Sequence, residues 1–311
     1  MKGLVVRNTG SWYTVLVDDD QLLDCKIKGA FRLKGIRSTN PVAVGDWVEI
    51  DADELFITDI CDRRNYIIRK SINLSKQSQI IASNVDQAFL LVTVSHPQTS
   101  TTFIDRFLAS AEAYRVAVVL LFNKTDLLNE DELFRQGELM KLYSGIGYEC
   151  LAITATEASS LIQVQTLLYG KVSVFSGHSG VGKSTLLNHF IAGHQQKTAP
   201  LSEAHDQGMH TTTFSEMFRV NGVDMGKSFV IDTPGIRGFG TFDFEPEEVG
   251  HYFREIFLES THCRFSNCTH THEPGCAVLC AVEEGKIAMS RYQSYLSMLG
   301  DKEENRYRAA Y

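Results

Sequence analysis

The chain has 311 residues, 43% of them hydrophobic, and a formal net charge of −8, so we expect two or three domains with substantial cores and no general attraction for nucleic acid. No apolar run reaches the length of a membrane span. Since the start Met1-Lys2-Gly3-Leu4 also lacks the apolar stretch of a signal peptide, we expect a cytoplasmic protein with no membrane partner.

The N-terminal segment contains short runs of alternating apolar residues, and turn-forming residues separate them. The five runs are Leu4 to Val6, Trp12 to Val17, Leu22 to Ile27, Val48 to Ile50 and Phe56 to Ile60. Short strands at this spacing predict a small OB-type β-barrel, a fold that often binds oligonucleotides.

One stretch of this segment is basic and has no intervening acid. Its basic residues are Lys26, Lys28, Arg32, Lys34 and Arg37. The neighbouring ring of Phe31 could stack on a base, so the pattern favours a local RNA-binding loop. A solvated hairpin is the alternative.

The motif Asn123-Lys124-Thr125-Asp126 closes an apolar strand at Val116 to Phe122. The Asp126 carboxylate can accept hydrogen bonds from N1–H and the 2-amino group of guanine, and adenine offers no such pair of donors. Discrimination of this kind reaches roughly 10⁴-fold or more, so we expect GTP or GDP as ligand. The Lys124 stem would lie along the base. A helix N-cap beside a solvated lysine is the alternative for the motif taken alone.

A second candidate for base recognition follows a strand-like run from Gly147 to Ile153. The run leads into Thr154-Ala155, where a backbone N–H could meet guanine O6. This pair is not specific by itself, and its meaning depends on the neighbouring motifs.

The most specific motif is Gly177-His178-Ser179-Gly180-Val181-Gly182-Lys183-Ser184. It lies between an apolar run that includes Val172, Val174 and Phe175 and a helix-like segment from Thr185 to Ile191. This is the strand–loop–helix setting of a phosphate-binding loop, in which backbone N–H groups converge on the β-phosphate. Lys183 would reach the β- and γ-phosphates, and the Ser184 hydroxyl would ligate Mg²⁺. A chance Gly-rich turn before a helix is the alternative.

Two further segments complete the phosphate half. A strand-like run from Ser228 to Ile231 ends in Asp232-Thr233-Pro234-Gly235, where Asp232 can hold Mg²⁺ through water and Gly235 can present its N–H to the γ-phosphate. Between this segment and the phosphate loop lies His210-Thr211-Thr212-Thr213. We take Thr212 as the Mg²⁺ ligand, although the sequence does not distinguish among the three hydroxyls.

Together these motifs predict one GTP site with its Mg²⁺. Its residues are Asn123, Lys124, Thr125, Asp126, Thr154, Ala155, Gly177, His178, Ser179, Gly180, Val181, Gly182, Lys183, Ser184, Thr185, Asp232 and Gly235. The guanine-reading half precedes the phosphate half in this chain, which reverses the usual order. We infer a circular permutation, with the old ends joined through Glu157 to Gly170, which is tolerated because termini of compact domains lie at the surface and close together.

The C-terminal region carries a cluster of metal-ligand residues with the pattern Cys-x4-Cys-x-His-x5-Cys. The residues are Cys263, Cys268, His270 and Cys276. Three thiolates and one imidazole suit a closed, tetrahedral structural zinc site. His262 or His272 could replace His270, and a set of free buried cysteines is the remaining alternative.

The whole chain resembles the ribosome small subunit-dependent GTPase A family. The resemblance rests on Gly45-Asp46-Trp47-Val48, on the permuted order of the nucleotide motifs, and on the spacing of the four zinc ligands. It agrees with a multidomain α/β chain whose units are an N-terminal OB-type β-barrel at residues 1–70, a circularly permuted P-loop GTPase domain at 71–239 and a C-terminal helical zinc-binding domain at 240–311.

The resemblance also implies a function and partners. It implies a GTP-hydrolysing assembly factor for late maturation of the small (30S) ribosomal subunit, which binds 16S rRNA and is stimulated by the subunit. We expect a monomer with one structural Zn²⁺, and with Mg²⁺ bound together with GTP. The alternative is a nucleotide-dependent RNA- or protein-binding module whose GTP turnover is incidental.

Catalysis needs a group that orients the attacking water, and Ile236 stands where Ras-like GTPases place a glutamine. We expect His210 to accept a hydrogen bond from that water, and the resemblance also points to a histidine here. Lys183 is the second predicted catalytic residue. His178 is a further candidate, although its side chain could point away from the γ-phosphate, and His210 could instead pack or cap.

Overall fold

The computed structural model describes residues 1–27, 41–70, 78–191, 215–221, 228–232 and 245–308. The N-terminal strands are β1 (Lys2–Asn8), β2 (Tyr13–Leu16), β3 (Leu22–Ile27), β4 (Trp47–Ile50) and β5 (Phe56–Ile60). They follow the order β1-β2-β3-β5-β4, and β4 pairs back onto β1, which closes a barrel. Its interior is filled by buried residues that include Val5, Val15, Cys25, Val48 and Ile57. The predicted five-stranded barrel is confirmed.

Two strands that the sequence pattern did not indicate follow the barrel. They are β6 (Tyr66–Lys70) and β7 (Ser78–Ser83), which form a separate antiparallel pair. A tight contact joins this pair to the barrel at Gly45, which has φ +95°. A Cβ at Gly45 would lie 2.1 Å from the backbone oxygen of Ser83, so only glycine fits this approach.

The second sheet unit consists of β8 (Gln87–Val92), β9 (Ala117–Phe122), β10 (Glu149–Ala152), β11 (Val172–Ser176), β12 (Glu216–Arg219) and β13 (Phe229–Asp232). Its order is β10-β9-β8-β11-β13-β12, and the strands are parallel except for β12. The helices of this unit are α1 (Thr101–Ala113), α2 (Glu130–Gly145), α3 (Ile162–Leu168) and α4 (Lys183–Phe190). Two apolar clusters built partly from the buried strands form its core.

The chain order of the strands agrees with the predicted permutation, because β8, β9 and β10 precede β11, the strand that leads into the predicted phosphate loop. From β8 the chain proceeds outward to β9 and β10, and from β11 it proceeds to the opposite side, to β12 and β13. The order therefore reverses between β8 and β11. In open α/β sheets, ligands bind outside the carboxyl ends of the strands at such a reversal. The topology therefore predicts a ligand-binding site where β8 and β11 end.

The barrel and this sheet are continuous through β1. Along β1, Val5 lies in the barrel interior, whereas Leu4 and Val6 belong to the core of the second unit together with Phe229 and Ile231. At its end β1 also pairs with β12, with Arg7 opposite Glu216. One strand therefore contributes to two hydrophobic cores.

The C-terminal unit is helical, as expected. Its helices are α5 (Pro246–Val249), α6 (Arg254–Ser260), α7 (Ala277–Glu283) and α8 (Met289–Arg308). They surround a small core that includes Phe253, Ile256, Val278 and Tyr295, and Ala109 of α1 joins it. Across the parts of the chain that the structure covers, no helix combines the length and apolarity needed to cross a membrane.

Candidate nucleotide site and metal centre

The phosphate loop occupies the turn between β11 and α4, so the predicted strand–loop–helix setting is confirmed. Helix α4 begins at Lys183, and Gly182 precedes it in the left-handed region at φ +100°. A Cβ at Gly182 would lie 2.3 Å from Asn123 Nδ2, so this position requires glycine for space as well as for its backbone angle. The N-terminal end of α4 offers the partial positive charge that suits a phosphate.

Asn123 connects the three segments of the predicted site. Its side-chain Nδ2 donates to the Val181 carbonyl oxygen at 2.7 Å, and its Oδ1 accepts from the Ala155 N–H at 2.9 Å. The residue follows β9 and is buried. A buried amide with both ends bonded fixes its neighbours, so Asn123 holds the phosphate loop and the Thr154-Ala155 segment in register.

The rest of the guanine motif forms a short 3₁₀ turn, Thr125–Leu127. Asp126 is exposed on this turn, so its carboxylate is accessible to a ligand. The Lys124 ammonium donates to the carbonyl oxygen of His96, and the Thr125 hydroxyl accepts from Gln136 at 3.2 Å. These contacts tie the motif to the loop after β8 and to α2, and the base-reading role of Asp126 remains a prediction.

The backbone at Thr154 and Ala155 is already hydrogen bonded within the protein. The Thr154 N–H donates to the Ser160 hydroxyl at 3.0 Å, and the Ala155 N–H donates to Asn123. A contact of Ala155 with guanine O6 would require its N–H to be shared with Asn123 or released by it. The predicted O6 contact therefore stays a prediction.

Two of the predicted phosphate and magnesium segments lie at the carboxyl ends of neighbouring parallel strands. Asp232 ends β13, which runs parallel to β11, so it lies beside the strand that carries the phosphate loop. Lys183, Ser184 and Thr185 are half-buried in the first turn of α4, while Ser179 is exposed in the loop. A hydroxyl and a carboxylate in this arrangement are oxygen ligands of the kind that Mg²⁺ prefers.

Several predicted residues lie outside the described residues. They are Lys28, Arg32, Lys34 and Arg37 of the basic stretch, with Phe31, and His210, Thr212, Gly235 and Ile236 of the phosphate half. Their roles remain predictions.

The four predicted zinc ligands converge in the C-terminal unit, where their ligand atoms all lie within 4.8 Å of one another. The Cys263 and Cys276 sulfurs are 3.9 Å apart, and they lie 3.6 and 3.5 Å from the His270 Nδ1. A tetrahedron with Zn–S of about 2.3 Å and Zn–N of about 2.05 Å has edges of roughly 3.8 and 3.6 Å. The donor set therefore fits Zn²⁺ in both chemistry and spacing.

Burial shifts the pKa values of the residues in this cluster. Burial, together with the nearby sulfurs of Cys276 and Cys263, raises the pKa of Cys268 to about 12, and burial also raises the pKa of Cys276. Burial lowers the pKa of His270, so its imidazole is neutral and able to ligate. A divalent cation would supply the positive charge that allows the buried thiols to lose their protons and ligate as thiolates.

The structure also decides among the candidate histidines. His262 is exposed near Glu259, and His272 Nδ1 lies 2.8 Å from the Thr271 hydroxyl, whereas His270 is buried among the cysteines. Two tyrosines hold the ligand segment. Tyr292 donates to the His270 carbonyl oxygen at 2.7 Å, and Tyr295 donates to that of Thr269 at 2.6 Å. The sequence pattern did not indicate these tyrosines, because they lie more than twenty residues further along the chain.

On the barrel, Lys26 is the one predicted RNA-binding residue within the described part of the chain. Its ammonium lies 4.2 Å from the centre of the Trp12 ring, and that ring is 47% exposed in the turn between β1 and β2. An exposed indole beside an ammonium is the combination that stacks a base and neutralises a phosphate. The sequence pattern places Trp12 at the start of a strand, and it therefore does not identify Trp12 as a candidate RNA-binding residue.

Comparison with known proteins gives concordant matches. The RsgA GTPase family profile matches residues 60–242, and the RsgA N-terminal domain profile matches residues 2–55. The chain is 62% identical to the small ribosomal subunit biogenesis GTPase RsgA of Bacteroides fragilis and 52% identical to that of Porphyromonas gingivalis, in each case over 100% of both chains.

Two solved structures are also similar. YjeQ from Thermotoga maritima superposes with a TM-score of 0.76 at 36% identity, over 96% of this chain and 97% of that one. YloQ, a circularly permuted GTPase, superposes with a TM-score of 0.74 at 29% identity, over 98% of this chain and 95% of that one.

Proposed function

Because this chain belongs to the RsgA GTPase family, we propose that it hydrolyses GTP as a biogenesis factor of the small ribosomal subunit. The observation that carries the proposal is similarity over the full length to relatives named small ribosomal subunit biogenesis GTPase RsgA. The sheet topology supports it, because the predicted nucleotide site lies where the strand order reverses between β8 and β11. The protein acts late in maturation of the 30S subunit, contacts 16S rRNA, and is a cytoplasmic monomer whose hydrolysis the subunit stimulates.

GTP binds with its phosphates at the loop Gly177 to Ser184 and its base at Asp126. Lys183 contacts the β- and γ-phosphates, and its charge offsets the negative charge that spreads over the transferred group. Asn123 binds no atom of the base in this scheme and instead keeps the two halves of the site together. Mg²⁺, when bound through Ser184, Thr212 and Asp232, supplies neutralisation of the phosphate charge.

Water activation is assigned to His210, because Ile236 has no polar atom to orient a water molecule. A neutral imidazole can accept a hydrogen bond from the attacking water. We therefore expect slow GTP hydrolysis until the ribosomal subunit positions His210.

The flanking units provide RNA contact. The barrel offers Trp12 with Lys26, and the basic residues Lys28, Arg32, Lys34 and Arg37 follow Lys26 in the sequence. In the C-terminal unit, at residues 240–311, Cys263, Cys268, His270 and Cys276 would hold one structural Zn²⁺, which would cross-link the unit when bound. The proposed N-terminal domain at residues 1–70 contains the barrel, which ends with β5, together with strand β6, and the proposed GTPase domain spans residues 71–239.

The test is the GTPase rate with and without purified small subunits. We expect stimulation by small subunits and not by large subunits or bulk RNA. A rate that small subunits leave unchanged would favour a binding module whose turnover is incidental.

Two variants test the nucleotide roles. Asp126→Asn is expected to weaken GTP binding by more than about tenfold and to shift preference toward xanthine nucleotides, because an amide can pair with a 2-oxo group. Retained preference for GTP would reject Asp126 as the residue that binds the base.

Lys183→Ala is expected to abolish GTP turnover, while the turnover rate of the control Ile236→Gln is expected to stay within a few-fold of that of the parent.

A further inference from the structure

Helix α1 begins beside the phosphate loop. Ser100 caps it, with its hydroxyl oxygen accepting from the Phe103 N–H at 3.2 Å. The Phe103 ring then packs on the imidazole of His178, the second residue of the loop motif, with ring centres 3.8 Å apart and planes tilted by 36°. The first turn of α1 is therefore in direct contact with the segment that would bind phosphate.

Two residues further along, α1 enters a buried ionic network that belongs partly to the C-terminal unit. Asp105 is fully buried, accepts from Tyr143 at 2.9 Å, and pairs with Arg291 of α8 at 2.9 Å. Arg291 is itself 1% exposed and binds both carboxylate oxygens of Glu255 in α6, at 2.6 and 3.0 Å. Removal of one partner from a buried ion pair strongly destabilises the fold, because the remaining charge has neither water nor an opposite charge beside it.

The same helix continues as the docking surface of the C-terminal unit. Arg106 donates to the Ser297 hydroxyl at 2.9 Å, and Glu112 pairs with Arg254 at 2.7 Å. Ala109 lies in the core of the C-terminal unit itself. The C-terminal unit thus contacts α1 at several points along its length, while Ile104, Phe107 and Leu108 pack the same helix into the core of the GTPase unit.

We propose that helix α1 couples docking of the C-terminal unit to the phosphate loop, with Phe103 as the positioning residue that holds His178. When the unit is docked, Asp105 is anchored and the ring of Phe103 supports the loop. When the unit shifts, α1 loses its anchor and the loop loses its support. By thermodynamic linkage, nucleotide binding must in turn favour docking by the same factor.

This connection is distinct from the chain that runs from Gly235 into the C-terminal region. It depends on side chains of α1 and of the C-terminal unit, it reaches the phosphate loop through the contact of Phe103 with His178, and it is made within the described residues. Coupling through such packed elements changes affinities by roughly 2- to 30-fold. An aromatic pair alone contributes a factor of about 2 to 12.

The test uses the full-length, zinc-loaded protein, with titration of GDP and a non-hydrolysable GTP analogue. Phe103→Ala is expected to weaken both ligands about fivefold and to raise KM for GTP with kcat nearly unchanged, since the contact supports binding uniformly. Phe103→Tyr keeps the ring and is expected to restore affinity to within twofold of the parent. The matched control is Phe134→Ala on α2, where the ring is 71% exposed, and no change is expected.

A double-mutant cycle then tests transmission. The combined variant Asp105→Asn/Glu255→Gln/Arg291→Met removes the ionic anchor without leaving Asp105 or Glu255 as an unpaired buried charge, and it is expected to weaken nucleotide binding about threefold. In the Phe103→Ala background the same combined variant is expected to have no further effect. Effects that multiply instead would overturn the coupling, as would unaltered affinity and unaltered amide exchange at residues 177–182 in Phe103→Ala. Zinc content and circular dichroism of each variant establish that it is folded.

Discussion

The barrel and the C-terminal unit flank the same GTPase sheet, yet they are attached by different kinds of contact. The barrel is joined by strand pairing, by apolar residues of β1, and by ion pairs that are largely exposed, such as Arg7 with Glu216 at 52% and 31% side-chain exposure. The C-terminal unit is joined through Asp105 and Arg291, which are 0% and 1% exposed. Attachment of the barrel should thus survive loss of any one charge, whereas attachment of the C-terminal unit should not.

The largest expected effect is loss of the zinc site. Cys268→Ser is expected to release the metal and unfold residues near 260–280, because structural zinc supplies about 10–16 kcal/mol in small zinc-folded units. The barrel and sheet should keep their structure. Metal analysis and hydrogen exchange measure this, with Cys280→Ser, an exposed cysteine of α7 outside the cluster, as the control. Stoichiometric zinc in Cys268→Ser would contradict the predicted ligand set.

The next largest effect is expected for removal of the buried guanidinium of Arg291. Burial raises the pKa of Asp105, and Arg291 is the main charge that opposes this effect. Arg291→Ala is expected to lower the free energy of unfolding by about 3–5 kcal/mol, because two acidic groups lose their partner. Chemical denaturation measures the change, and exposed Arg264→Ala is the control. A loss below about 1 kcal/mol would mean that the network is not needed for docking.

The barrel side is expected to respond to apolar truncation instead. Leu4→Ala removes a side chain that is 6% exposed in the GTPase core and is expected to cost about 2–4 kcal/mol. Because β1 serves both cores, hydrogen exchange should accelerate in the barrel and in β12–β13 together. Acceleration in the barrel alone would show that the two units unfold independently.

The smallest effect is expected for an exposed charge of the barrel junction. Arg219 pairs with Asp20 through both nitrogens and holds the pKa of Asp20 below its usual range, mainly through their hydrogen bond. A lowered carboxyl pKa stabilises the fold above the unfolded pKa of about 3.9 and loses that effect as pH falls through the folded value. Arg219→Ala should therefore lower the melting temperature by a few degrees at most at neutral pH and low salt. The difference should vanish once the pH falls below the folded pKa of Asp20, and also in 1 M salt. A difference that persists in both conditions would point to packing by the arginine stem.

The barrel, the phosphate loop and the zinc ligands were predictable because each signal is local. Alternating apolar residues define strands, and Cys263 to Cys276 span only a short stretch of chain. The sequence alone did not indicate Asp105 with Arg291, since 186 residues separate them and each looks like an ordinary surface charge of a helix. Strand β12 has four residues with no clear alternation, so only its tertiary pairing defines it.

The nucleotide crevice shows the same limit. The glycines of the loop and the residues of the guanine motif could be read directly, but the amide bridges of Asn123 depend on three chain segments meeting. The contact of Phe103 with His178 likewise arises from tertiary packing of α1 against the loop. Residue spacing indicates which functional groups lie close together along the chain. It does not indicate which side chains from distant segments pack against those groups.

Strand β1 also limits how this protein could be rebuilt from parts. Leu4 and Val6 face the GTPase core while Val5 faces the barrel, so a gene fragment that starts after the barrel would leave Phe229 and Ile231 open to solvent. A chimera that exchanges the barrel with that of a relative would need a GTPase sheet matched to the new β1. The first eight residues of the chain are thus an inseparable piece of the enzyme, even though the nucleotide motifs begin more than a hundred residues later.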